Sequence, residues 1–173
     1  MSPPGAGTEQ HAGTAGASHG LDKKTDLDKE RNKTVGIFQS LEDAKAYFQG
    51  ERFATGNGMT LEALTEESAA CEMEIQDRHR NALDGVMGGA IFTLADFASA
   101  ALTNHLHSPT VAQQVSINFL SLVKGTRLRA VAKLVKNGRQ SLITEVEVTD
   151  DLDREIARMT VTSFKLRPRR EES

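Results

Sequence analysis

The sequence predicts an α+β domain in which a mostly antiparallel sheet of about six strands wraps around one central apolar helix. The helix is indicated by residues 85–104, GVMGGAIFTLADFASAALTN, which from Ala90 onward are largely Ala, Leu, Ile and Phe. Six runs with strand-like patterns predict the sheet, two before this segment and four after it. A chain of 173 residues fits one ordinary domain built in this way.

The polar side chains of the predicted helix recur every three or four residues, at Thr93, Asp96, Ser99 and Thr103. That spacing places them on one narrow stripe and leaves the rest of the helix apolar. An aspartate is rarely buried without a partner. We therefore expect the stripe to be the solvent-facing or functional side of the helix, and Asp96 to lie on that side. A solvent channel or a hydrogen bond to a neighbouring element is the alternative explanation for Asp96.

Two glycines, Gly88 and Gly89, stand where the predicted helix begins. Glycine lets another group approach the backbone closely, and the first turn of a helix has unpaired N–H groups at the positive end of the dipole. Such a terminus can hold an anion, or the oxyanion that develops when an acyl group is attacked. The alternative is that the glycines only allow a tight turn or close packing.

The distance between the glycines and the acid limits how they can act together. Gly88 and Asp96 are eight residues apart, which corresponds to roughly 12 Å along a helix axis. A base or nucleophile and an oxyanion donor must both lie about 3 Å from one reacting centre. If both residues act in one reaction, Asp96 comes from one copy of the chain and Gly88 from another. The catalytic hypothesis therefore predicts a homodimer.

Composition excludes several classes of partner and site. A formal net charge of −3 is not the basic field that nucleic-acid binders usually show. The single cysteine, Cys71, excludes an internal disulfide and a CxxC metal site, and its alternating apolar surroundings predict a small buried hydrophobe. No metal site is expected. The helical segment is too short and too polar to span a bilayer, and no signal-like segment begins the chain, so we expect a cytoplasmic protein without a membrane partner.

By composition the chain divides into a folded domain and two tails. Residues 1–33 contain almost no large apolar side chains, which predicts a disordered tail. Its scattered histidines, His11 and His19, are not expected to bind a metal. Residues 167–173 predict a charged C-terminal tail. The folded domain is therefore expected over residues 34–166.

Within this domain a short helix is expected first, capped by Ser40 and ended near Gly50. Two strand patterns follow, and a polar loop at 77–86 then leads into the long helix. The turn signals between the last four strand patterns predict that these strands form an antiparallel meander. The six strands are expected at 59–64, 68–75, 111–119, 128–134, 142–148 and 154–166.

Several short motifs occur in an order that resembles the PaaI-like branch of the hotdog-fold acyl-CoA thioesterases. The resemblance covers residues 40–166, and the helix motif with its aspartate is its most specific part. The motifs are Asn81, Gly85, Met87-Gly88-Gly89, residues 91–96 (IFTLAD), residues 116–120 (SINFL) and Gly138-Arg139.

The resemblance implies a six-stranded sheet around one helix, and pairing of chains into dimers and often tetramers, with active sites at the dimer interface. Asp96 would be the carboxylate that activates water or attacks the thioester carbonyl. Gly88 of the facing subunit would give its backbone N–H to the carbonyl oxygen, and Asn81 would help to hold that oxygen or the substrate. Coenzyme A would enter only as part of the substrate, with no further cofactor.

Two positions depart from the family pattern. The family commonly has His before the paired glycines, where this chain has Met87. Methionine can neither donate a hydrogen bond nor titrate, whereas the backbone donor of Gly88 is unaffected. The family also often places Ser or Thr near the start of the strand after the helix, where this chain has Ala112, with Thr110 and Gln113 nearby. The residue that positions water is therefore unassigned.

Binding of the rest of the substrate is assigned to two short segments. Met87 and Gly89 flank the oxyanion donor at the start of the helix. The phosphates of coenzyme A favour Arg and Lys, and a basic hairpin could meet them, although a solvated turn is the alternative. This hairpin contains Lys136, Asn137, Gly138 and Arg139.

Three functions follow as separate hypotheses. The leading one is hydrolysis of an aryl- or short- to medium-chain acyl-CoA, with Asp96 as base or nucleophile. The second, motivated by Met87, is a hotdog protein that binds acyl-CoA without turning it over. The third is a structural or partner-binding module in which Asp96 is held in a buried hydrogen bond. A dehydratase of this fold is less favoured, because we expect no histidine on the loop before the helix to serve as its base.

Overall fold

An antiparallel sheet of six strands packs against a 19-residue helix that contacts every strand of the sheet. The structure is a computed structural model and describes residues 36–167. The tail predicted over 1–33, with its two histidines, lies outside the described residues, as do residues 168–173 of the predicted charged tail. The predicted α+β class and the sheet around a central helix are confirmed.

Most predicted elements are present, and the first strand has the predicted ends. One helix was missed, because α2 is short, has no capping side chain and overlaps a segment rich in turn residues. The helices are α1 (Leu41–Phe48), α2 (Arg52–Gly56) and α3 (Gly88–Leu106), with a 3₁₀ turn at Asp77–His79. The strands are β1 (Met59–Leu64), β2 (Ser68–Glu74), β3 (Thr110–Phe119), β4 (Arg127–Asn137), β5 (Ser141–Asp150) and β6 (Glu155–Lys165).

The strand order is β1-β2-β4-β5-β6-β3, so the prediction that the last four strands form one meander is wrong for β3. Only β4, β5 and β6 follow one another as hairpins. β3 pairs with β6, from Thr110 opposite Lys165 to Phe119 opposite Ala157, and lies at one edge of the sheet. The connection over residues 120–126 is long enough to carry the chain to β4 on the other side of β6 and β5. β3 is therefore an edge strand of the sheet.

The polar stripe of α3 is only partly exposed to solvent. Ser99 and Thr103 are buried, so the expectation of a solvent-facing side is wrong for these two residues. Their hydroxyls pair with strand hydroxyls: Ser99 Oγ lies 2.8 Å from Thr144 Oγ1, and Thr103 Oγ1 accepts from Thr110 Oγ1 at 3.0 Å. A buried hydroxyl with a partner is tolerated in a core. These pairs fix α3 on β5 and β3.

The capping and core predictions outside α3 hold. Ser40 caps α1, since its Oγ accepts from the backbone N–H of Asp43 at 3.1 Å. Cys71 is fully buried on β2, and this burial raises the pKa of its thiol. Among residues 36–167, no helix has the length and hydropathy needed to cross a membrane.

Candidate active site

The carboxyl group of Asp96 lies in the middle of α3 and is half-buried. No hydrogen bond to its side chain is found within residues 36–167. The buried hydrogen bond that the structural or partner-binding hypothesis predicts for Asp96 is therefore not observed there. Burial raises the pKa of the Asp96 carboxyl above its usual value, and the nearby charge of Glu51 raises it further. A half-buried carboxyl with raised proton affinity and no partner is suited to accept a proton from a bound molecule.

The start of α3 presents two backbone donors. Met87 has the extended conformation of an N-cap, with φ −64° and ψ 133°, and Gly88 and Gly89 are the first helical residues. The N–H groups of Ala90 and Ile91 donate to the carbonyl of Met87. For the N–H groups of Gly88 and Gly89, no acceptor is found in the described part of the chain. These two donors are free to bind an oxygen at the positive end of the helix.

Met87 covers this end of the helix without contributing a polar group. Its side chain is 55% exposed, and its Cε lies 3.1 Å from where a Cβ at Gly89 would stand. The thioether therefore lies over Gly89. The backbone N–H of Met87 donates to the carbonyl of His79 at 2.8 Å, which anchors the N-cap to the preceding loop.

Asn81 organises the loop before α3. Its Oδ1 accepts from the backbone N–H groups of Leu83 at 2.9 Å and Gly85 at 3.1 Å. The backbone N–H of Asn81 donates to the carbonyl of Gly85. This is the hydrogen-bonding pattern of an Asx turn. Because the loop uses Oδ1, the group left for a substrate oxygen is the Nδ2 amide.

The loop before α3 does contain a histidine, His79, so the expectation that it has none is wrong. It is buried, and both ring nitrogens have partners: Nδ1 accepts from the N–H of Gln76 at 3.0 Å, and Nε2 lies 2.9 Å from the carbonyl oxygen of Asn57. Because Nδ1 accepts, the proton is on Nε2, which donates. His79 is therefore a structural group and cannot serve as the exposed base of a dehydratase. A histidine among polar loop residues gave no sequence signal of this role.

The predicted basic hairpin lies beyond the C-terminal end of α3, far from Gly88. β4 continues through Asn137, so the connection is shorter than predicted, and Lys165 Nζ donates to Asn137 Oδ1 at 2.5 Å and to the carbonyl of Gly138 at 2.8 Å. Arg139 is exposed and lines a groove of about 630 Å³ together with His107, the C-cap of α3. Burial lowers the pKa of the Lys165 ammonium.

The residue that positions water stays unassigned. Thr110 is buried and donates its hydroxyl to Thr103. Ala112 and Gln113 are exposed, with Gln113 in an irregularity of β3.

Within one chain the structure brings together Met87, Gly88 and Gly89, while Asp96 and the hairpin lie elsewhere. Among residues 36–167, no group of three or more His, Cys, Asp or Glu side chains is arranged to hold a metal ion.

A six-stranded antiparallel sheet around one helix is the hotdog architecture, and the relatives of this chain place it among the thioester hydrolases. Residues 85–157 match the family described as the Thioesterase superfamily. Over 121 residues the chain is 30% identical to acyl-coenzyme A thioesterase 13 of Homo sapiens, an alignment that covers 67% of this chain and 86% of that protein.

Two further comparisons agree. Over 117 residues the chain is 26% identical to acyl-coenzyme A thioesterase PaaI of Escherichia coli, covering 67% of this chain and 84% of that protein. A crystal structure of a Streptococcus mutans protein bound to acetyl CoA has 28% identity and a TM-score of 0.61, over 65% of this chain and 91% of the other. The chain belongs to the thioesterase superfamily, in its PaaI-like hotdog-fold branch.

Proposed function

We propose that this protein hydrolyses the thioester of an aryl- or short- to medium-chain acyl-CoA at sites shared between two copies of the chain. One observation carries the proposal: α3 holds a half-buried carboxyl group, at Asp96, and a helix-terminal N–H donor, at Gly88, and neither has a partner within residues 36–167. Their separation of eight residues, roughly 12 Å along the helix, is too large for one chain to place both at one carbonyl.

The edge of the sheet supports pairing through β3. An edge strand has unpaired backbone groups along one side. β3 also has an exposed large apolar residue near each end, Val111 at 47% and Phe119 at 52%. Two copies related by a two-fold axis would join their β3 edges in antiparallel fashion. The start of α3 in one copy would then approach the middle of α3 in the other.

In the proposed reaction, the carbonyl oxygen of the thioester accepts a hydrogen bond from the N–H of Gly88. Asp96 of the other copy takes a proton from water while the water oxygen bonds to the carbonyl carbon. The C–S bond then breaks, the proton passes to the leaving sulfur, and the products are a carboxylic acid and the thiol of coenzyme A. Direct attack by Asp96, followed by hydrolysis of the anhydride, uses the same groups.

The remaining predicted residues complete the proposal. The Nδ2 group of Asn81 would donate to the carbonyl oxygen or the substrate, and Met87 and Gly89 would border the thioester. The exposed Arg139, on the hairpin with Asn137 and Gly138, would bind phosphate of coenzyme A. No cofactor is needed, and we retain a cytoplasmic location and assembly into dimers or tetramers as parts of the proposal.

The test is a thiol-release assay over aryl, short-chain and medium-chain acyl-CoAs, with Asp96→Asn beside the natural protein. We expect the variant to lose thiol release by about 10²- to 10⁴-fold, the usual contribution of a positioned base. Its melting temperature should not fall, because burial disfavours the charge that the substitution removes. Equal turnover by the two proteins would contradict the role of Asp96.

Met87 favours a second candidate, a protein that binds acyl-CoA without hydrolysing it. In that case both proteins would show saturable binding of acyl-CoA and no thiol release. Turnover that depends on Asp96 would exclude this candidate.

A further inference from the structure

A cavity of about 280 Å³ opens beside Met87 and Gly89 at the start of α3. Its floor is apolar and consists of Met59 from β1 with Ala90 and Phe92 from α3. Gly89 lies on its wall, so the cavity begins next to the position proposed for the thioester carbonyl. The chain attached to that carbonyl carbon can therefore extend directly into the cavity.

The lining of the cavity also includes a cation, the guanidinium of Arg78. Arg78 lines the cavity, and its Nη2 lies 3.2 Å from where a Cβ at Gly58 would stand, next to the floor residue Met59. The segment that carries Arg78 is fixed, because the neighbouring His79 is buried with both ring nitrogens bonded. The guanidinium itself, on an exposed residue, lies beside the start of β1.

This guanidinium has no carboxylate partner within residues 36–167, which sets it apart from most arginines described there. Arginine favours planar oxyanions, which it can bind through two parallel hydrogen bonds. The arginines that do pair with a carboxylate are Arg80, Arg127, Arg129, Arg154 and Arg158.

We propose that this cavity receives the acyl group and that Arg78 binds a carboxylate there, so that the preferred substrate is the coenzyme A monothioester of a short dicarboxylic acid. The inference rests on the proposed hydrolase function. The volume of 280 Å³ corresponds to about nine water molecules at roughly 30 Å³ each. An adipyl group, with six carbons and three oxygens, has a similar number of heavy atoms, and its four methylenes would lie on the apolar floor.

The experiment compares kcat/KM for adipyl-CoA and hexanoyl-CoA, two substrates of equal chain length that differ in the terminal carboxylate. We expect the natural protein to prefer adipyl-CoA by about tenfold or more. Arg78→Leu should lose this preference through a fall on adipyl-CoA alone, and Arg78→Lys should restore part of it. Arg52→Leu is the matched control, because Arg52 belongs to α2, is exposed and does not line the cavity.

Each other outcome is decisive. Hydrolysis of both substrates without a preference overturns the inference and leaves the hydrolase proposal standing. An equal loss on both substrates in Arg78→Leu, with an unchanged melting temperature, would mean that Arg78 binds the coenzyme A portion, and the inference fails. An absence of thiol release from every acyl-CoA, in a protein that is folded and dimeric, overturns the hydrolase proposal and this inference with it.

Discussion

The ring of Phe119, at the end of β3, lies against Gly88, at the start of α3: a Cβ at Gly88 would stand 3.2 Å from Cζ of the ring. The edge strand thus reaches the helix terminus whose first N–H groups have no acceptor within residues 36–167. Phe119 is half exposed, so its ring can move a few tenths of an ångström to admit a methyl group. Substitutions at Gly88 can therefore test the backbone donor without abolishing the fold.

Gly88→Pro removes the N–H of this residue and should lower kcat for thiol release by about 10²- to 10³-fold, the usual effect of losing one oxyanion donor. Proline is tolerated at the first position of a helix, and Met87, with φ −64° and ψ 133°, already has the extended conformation that a residue before proline requires. Gly88→Ala is the matched control, because it adds the Cβ and keeps the donor. If Gly88→Ala loses as much activity as Gly88→Pro at equal melting temperature, steric hindrance explains the loss.

The charge of Glu51 should be visible in the pH dependence of hydrolysis. Burial is the larger cause of the raised pKa of Asp96, and Glu51 adds to it. Removal of this negative charge in Glu51→Gln lowers the pKa of the Asp96 carboxyl, so the carboxylate base persists to lower pH. The acid limb of kcat/KM should therefore move to lower pH in the variant and remain unchanged in Glu42→Gln, an exposed control on α1. A limb that stays in place or moves to higher pH would show that Asp96 is not the titrating base.

Met87→His tests the departure from the family pattern. Met87 is 55% exposed at the N-cap, so a histidine fits there without entering the core, and the backbone bond from residue 87 to His79 is retained. A histidine can donate a hydrogen bond to the thioester oxygen or to water, which methionine cannot. We expect kcat to rise several-fold, with little change in melting temperature. A fall in kcat/KM across the acyl-CoA panel would instead indicate that the thioether contributes to substrate binding.

The class of fold could be predicted because two periodicities are clear in the sequence. Alternating apolar residues marked the strands, and the apolar segment after Gly88 marked the helix. Strand pairing could not be predicted in full, since periodicity says which face of a strand is buried but not which neighbour it has. The position of β3 beside β6 depends on the crossing connection at 120–126, whose turn signal, Lys124-Gly125, does not distinguish a hairpin from a crossing connection.

The candidate site was predictable only where a residue was unusual in its context. Asp96 in an apolar helix and the glycine pair at its start were such residues. Ser99 and Thr103 share the spacing of Asp96, but hydroxyls on β5 and β3 satisfy them in the core, which helical periodicity alone cannot reveal. Arg78 and His79 are adjacent in a polar loop of the sequence. Only the structure reveals that the ring of His79 is buried and that Arg78 lines the cavity.

Mixed dimers give a direct test of the proposed exchange of residues between subunits. Asp96→Asn and Gly88→Pro should each be nearly inactive alone. When the two are unfolded and refolded together in equal amounts, half of the dimers should be mixed, and each mixed dimer has one site with an intact Asp96 from one chain and an intact Gly88 from the other. Thiol release should therefore recover to about a quarter of the natural level.

The recovery depends on the two residues acting from different chains. If both acted from the same chain, every site in the mixture would lack one of them and no activity would return. A mixture of Asp96→Asn with Asp96→Ala is the matched control and should stay inactive in either case. Size-exclusion chromatography before the assay establishes that dimers have formed, so an inactive but dimeric mixture of Asp96→Asn and Gly88→Pro would overturn the shared site.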